Sequence, residues 1–102
     1  MSILSDLVTL SVQSTEQIHD YFQIVFSDGS GLSVYNDHFF TGCTLESITG
    51  SSVSSVLESP EEVVIDFSGR GSLSVGLKDN DYVSGPEAMQ LNRPGKPTVI
   101  WN

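Results

Sequence analysis

Phe22-Gln-Ile-Val-Phe-Ser-Asp-Gly-Ser-Gly-Leu-Ser-Val34 is the stretch that decides the fold. Phe22, Ile24 and Phe26 recur at every second position, and Leu32 and Val34 resume the alternation after Ser27-Asp-Gly-Ser-Gly31. A period of two places these side chains on one face of a strand, and glycine supplies the positive φ that a tight reversal needs. The stretch reads as a β-hairpin. A second copy follows 41 positions later, with Val63, Ile65 and Phe67, then Leu73, Val75 and Leu77, around the turn Ser68-Gly-Arg-Gly-Ser72.

The same displacement extends outward without a gap. Leu4, Ser11, Val12 and Ser14 fall on Leu45, Ser52, Val53 and Ser55, and Leu7 falls on Ile48. Chance supplies serine matches in a serine-rich chain, but not a shared apolar frame of this length. The chain is therefore expected to hold two units, residues 4–42 and 45–83, with a tail at 84–102. Each unit reads as a three-stranded meander whose first strand runs near Leu7–Thr15 or Ser51–Leu57. One helical turn, at Leu4–Leu7 or Leu45–Ile48, enters each unit. Helix is otherwise scarce, because Ala88 is the only alanine and no apolar stripe of helical spacing is sustained. In the tail, Gly85–Asn92 leads to a Pro/Gly turn at Arg93–Pro97 and a last short strand at Thr98–Trp101. A lone three-stranded sheet cannot hide its apolar face. The expectation is an all-β single domain of six to eight strands, with the two meanders packed together.

Composition narrows the function. The chain has 102 residues, 4 bases and 13 acids, for a formal charge of −9. Nucleic-acid binders need a basic stripe, and anionic membranes repel such a chain, so both partner classes are disfavoured. A basic protein is the partner this charge attracts. No apolar run approaches the length of a membrane span, and Met1–Leu7 lacks the basic start of a signal peptide. The single cysteine, Cys43, excludes an intrachain disulfide and suits a reducing compartment. A cytoplasmic location is expected.

Asp37, His38 and Cys43 are the only local grouping that resembles a base and a nucleophile. They lie within seven residues, whereas catalytic partners usually meet from distant parts of a chain. A strand-end histidine and a small buried thiol is the preferred reading, so no catalytic residue is assigned. His19, His38 and Cys43 lack zinc-ligand spacing, and Asp28-Gly-Ser-Gly31 lacks the alternating acids of a calcium loop. Gly69-Arg-Gly71 opens onto a strand rather than a helix, so it is no phosphate cradle. No metal and no cofactor are expected.

The acids are placed unevenly. In a meander, the first hairpin tip and the exit of the third strand share one end of the sheet. That end holds Glu16, Asp20 and Asp37 in the first unit, and Glu58, Glu61, Glu62, Asp79 and Asp81 in the second. Together they form one acidic rim if the units point the same way and two if they do not. Such a rim steers a basic partner; it also serves simply to keep an all-β chain soluble and to guard strand edges. Tyr21, Val25 and Tyr35 lie on the strand face opposite the core set, near the acidic end. They anchor an interface if exposed and pack internally if covered.

Phe26-Ser-Asp-Gly-Ser-Gly-Leu-Ser-Val-Tyr-Asn36, the repeated Leu-x-x-[Leu/Ile] … Ser-Val entries, and Gly85-Pro-Glu-Ala88 … Val99-Ile-Trp-Asn102 together resemble a largely uncharacterised set of small acidic bacterial proteins. These are similar in kind to the immunity proteins of toxin–immunity pairs, including those of contact-dependent growth inhibition. The resemblance implies a small cytoplasmic binder that occludes one cognate toxin, often a basic nuclease. Pro86, Glu87 and Trp101 are then structural: a turn, an acceptor for backbone N–H groups, and a core-closing indole that needs a partner. The expected function is a non-enzymatic, immunity-type inhibitor of a basic protein. The alternatives are a structural β module that self-associates through its sheet edges, and a ligand-binding or hydrolytic domain using His38 and Cys43.

Overall fold

The alternation over residues 22–34 becomes two antiparallel strands, β2 (Tyr21–Phe26) and β3 (Gly31–Val34), preceded by β1 (Val12–Ile18). The computed structural model describes residues 3–19, 21–77 and 88–101. Phe22, Ile24, Phe26, Leu32 and Val34 are all fully buried, as a half-covered sheet with period two requires. In the turn between β2 and β3, the Asp28 carboxylate accepts from the Ser30 N–H at 2.8 Å and the Ser30 hydroxyl at 3.0 Å. These bonds close an Asx turn around Gly29, whose φ is +91°.

The chain builds a second meander from β5 (Val53–Glu58), β6 (Glu62–Phe67) and β7 (Gly71–Gly76), separated from the first by β4 (His38–Thr41). Two strands of the tail follow, β8 (Met89–Asn92) and β9 (Val99–Trp101). The described residues thus form nine strands, more than the six to eight expected, in two antiparallel sheets. One sheet runs β1-β2-β3-β8-β9 and the other β4-β7-β6-β5. The inward faces of both merge into one core. The helical entries are 3₁₀ turns at Ile3–Leu7 and Glu46–Ile48, which bury Leu4, Leu7 and Ile48. Leu7 therefore closes a helical turn, and the first strand begins at Val12 rather than near Leu7.

The two sheets are joined at a corner. Thr9 N–H donates to the Val53 carbonyl at 2.9 Å, and Gly50 N–H donates to the Val12 carbonyl at 2.8 Å. Val12 N–H donates to Ser51, and Val53 N–H donates to Leu10, on either side of a bridge between Ser11 and Ser52. Both edge strands at this corner carry a register shift, between Val12 and Ser14 in β1 and between Val53 and Ser55 in β5. Thr9 and Gly50 both take positive φ, +80° and +89°.

Beyond each third strand, chain crosses between the sheets. After β3 it enters the other sheet, where β4 pairs with β7; β8, conversely, pairs with β3. Asn36, only 3% exposed, holds this crossing in place. Its side-chain amide donates to the Gly76 carbonyl at 2.6 Å, while the Tyr35 and Asn36 N–H groups donate to the Ala88 carbonyl. The crossing determines which charges meet.

Candidate protein-binding site

Four strand ends converge at one end of the four-stranded sheet. β5 finishes at Glu58, β6 starts at Glu62, β7 finishes at Gly76, and β4 starts at His38. Gly76 N–H donates to the Asp37 carbonyl at 3.0 Å, and Leu77 N–H donates to the Glu61 carbonyl at 2.9 Å. Asp37, Glu58, Glu61 and Glu62 therefore share this end, and all four are exposed. The meander pattern groups Asp37 with Glu16 and Asp20; the crossing at Asn36 carries it to the glutamates of the other sheet instead. Glu16 stays on the outer face of the five-stranded sheet, in the row Glu16–Gln23–Ser33–Gln90–Ile100. Asp20, Asp79, Asp81, Pro86 and Glu87 lie outside the described residues.

Glu58 differs from its neighbours. It pairs with the fully buried Val63, and its carboxylate accepts the Trp101 indole N–H at 2.9 Å. That bond ties β9 of one sheet to β5 of the other, and it is the partner the half-buried indole needs. Glu58 is consequently a fold contact, whereas Asp37 and Glu62 face outward.

The register also assembles something composition did not indicate. Leu57 pairs with Val64, Val64 with Ser74, and Ser74 with Phe39, so these four form one row across the outer face of the sheet. Leu57 and Phe39 are each 68% exposed. Beside Phe39 lies a depression of about 260 Å³ lined by Asp37, His38, Phe39, Ser74 and Gly76. Its size suits a side chain rather than an enclosed metabolite. An apolar row bordered by carboxylates has the make-up of an interface anchor with a charged rim. Tyr21 and Tyr35 instead pack on each other, half-buried, with ring centroids 4.9 Å apart.

Arg70 sits in the turn at the far end of β6, a strand length or roughly 17 Å from Glu62, and donates to the Ser47 carbonyl. Arg93 and Lys96 flank Asp6 at 2.8 and 3.8 Å. These three described cations thus have partners away from the acidic end.

His38 and Cys43 do not form a nucleophile–base pair. His38 begins β4 and shares a hydrogen bond between Nδ1 and the Asn36 carbonyl at 3.1 Å, with its ring edge-on to Phe22. Cys43 follows the far end of β4, about 10 Å or more along the strand. Its thiol contacts the Ser72 carbonyl at 3.7 Å, and burial pushes its pKa up. Less thiolate exists at neutral pH, so iodoacetamide should modify Cys43 more slowly than free cysteine at pH 7.5, catching up only as pH rises further. Rates measured by mass spectrometry check this; fast modification at neutral pH would contradict it. No group of three His, Cys, Asp or Glu side chains is arranged for a metal among the described residues, and no helix among them is long and apolar enough to cross a membrane.

No protein-family model, curated protein or solved structure matches the chain.

Proposed function

We propose that this chain is a non-enzymatic, immunity-type inhibitor that neutralises a basic protein, such as a nuclease toxin, through the acidic end of its four-stranded sheet. The observation that carries the reading is the meeting of Asp37, Glu61 and Glu62 beside the exposed row from Leu57 to Phe39. Carboxylates steer a basic partner into place, and the apolar row supplies area that loses water on contact. A chain of charge −9 disfavours nucleic acid for the same reason.

The test uses immobilised protein and a host lysate. The native chain should retain a stoichiometric basic partner, released as salt is raised. Asp37→Lys/Glu61→Lys/Glu62→Lys should retain at least about a hundredfold less at low salt, compared at a temperature where both chains are folded. Glu58 stays native in this variant because Trp101 depends on it. Equal retention by both chains would overturn the reading.

A further inference from the structure

The four edge strands of the two sheets are not equally protected. β1 and β5 carry register shifts and meet at the corner; β9 is three residues long and follows Pro97 closely. Bulges, shortness and proline are the ordinary means by which proteins blunt an edge. β4 is also short, but it has neither a bulge nor a proline. Its four residues, His38-Phe-Phe-Thr41, pair in continuous register with β7 and contain no proline or lysine.

The ladder fixes which backbone groups face outward. Gly76 N–H donates to Asp37, so Asp37 and Gly76 are a hydrogen-bonded pair. Alternation makes Phe39–Ser74 and Thr41–Ser72 hydrogen-bonded pairs as well, and His38–Val75 and Phe40–Leu73 the non-bonded ones. The N–H and C=O groups of His38 and Phe40 therefore point away from β7, toward the outer side of an edge where the described residues place no further strand. The same edge starts at Asp37, beside the depression and the outward-facing Phe39.

We infer that β4 accepts an extended basic segment of a partner protein as an added strand, bonded to the backbone of His38 and Phe40. This deepens the proposed function and rests on it. Charge selects the occupant. A second copy would bring another −9 and its own Asp37, Glu61 and Glu62, whereas a lysine- or arginine-bearing segment meets those carboxylates as its backbone enters the ladder. An apolar side chain of the same segment reaches the depression at Phe39.

The experiment uses the full chain and two synthetic probes, Lys-Thr-Val-Thr-Lys, whose lysines and valine share one strand face, and its counterpart Glu-Thr-Val-Thr-Glu. Amide hydrogen exchange is followed residue by residue by NMR. The basic peptide should slow exchange at His38 and Phe40 about tenfold or more, with little change at Phe39 and Thr41, whose amides are already bonded to β7. The acidic peptide should have no effect. Basic-peptide shifts confined to Asp37, Glu61 and Glu62, abolished by salt and without protection at His38 and Phe40, would overturn strand addition while leaving the acidic surface standing. Binding of neither peptide would also overturn it, and the lysate experiment would then judge the acidic reading separately. Protection that rises with protein concentration alone would replace the basic segment with a second copy.

Discussion

Gly71→Ala should destabilise the protein by about 3 kcal/mol or more, a large share of the roughly 5–15 kcal/mol that a domain of this size possesses. Two costs add at this position. Its φ of +151° lies where side chains are rarely found, and a Cβ there would sit 2.2 Å from the Thr41 carbonyl oxygen, 2.9 Å from the Gly42 carbonyl carbon and 3.0 Å from the Cys43 sulfur. The first two are backbone atoms, so relief requires β4 to move away from β7. Gly69 provides the internal comparison: its φ is +72°, but a methyl group there would meet nothing within 4 Å, so Gly69→Ala should cost only about 1 kcal/mol. Gly31 has neither obstacle, and Gly31→Ala should be neutral or slightly stabilising. Urea unfolding of the three variants gives the order directly. A Gly71→Ala midpoint equal to that of Gly31→Ala would contradict the close approach of β4 and β7.

Phe22→Ala should cost about 3–5 kcal/mol, for a different reason. Phe22 is fully buried in β2 of one sheet, and its ring lies 4.7 Å from His38 and 5.6 Å from Phe40, both on β4 of the other. Truncation leaves a cavity where the two sheets meet and removes the contact that seats the edge strand. Phe39→Ala, one residue along β4 but 68% exposed, should change stability by less than about 0.5 kcal/mol. Matched denaturation curves with unchanged slope test the pair. Comparable losses for both would mean that β4 faces the core differently from its pairing with β7.

The strands with strong alternation are legible from residues alone. Phe22, Ile24 and Phe26, and later Val63, Ile65 and Phe67, each give three consecutive same-face positions, and all six are buried. β4 and β8 are not legible because each has only four residues, two to a face, too few for a period to show. Their sheet membership is settled by distant backbone partners: Gly76 receives the Asn36 amide, and the Ala88 carbonyl receives the N–H groups of Tyr35 and Asn36. Hydropathy carries no trace of such bonds.

The candidate site divides in the same way. Glu61 and Glu62 announce a charged hairpin tip in any reading of the chain. The company of Asp37 depends on the crossing at Asn36, and the row joining Leu57 to Phe39 depends on the register of three strand pairs. Glu58 resembles its neighbours in sequence, and only the Trp101 indole places it between the sheets.

The association rate of the captured partner with the native chain and with Asp37→Lys/Glu61→Lys/Glu62→Lys, followed across ionic strength, tests the central claim most directly. The native rate should fall steeply with salt, and the variant rate should be about a hundredfold lower at low salt and nearly independent of it. Equal rates and equal salt dependence for the two chains would contradict it.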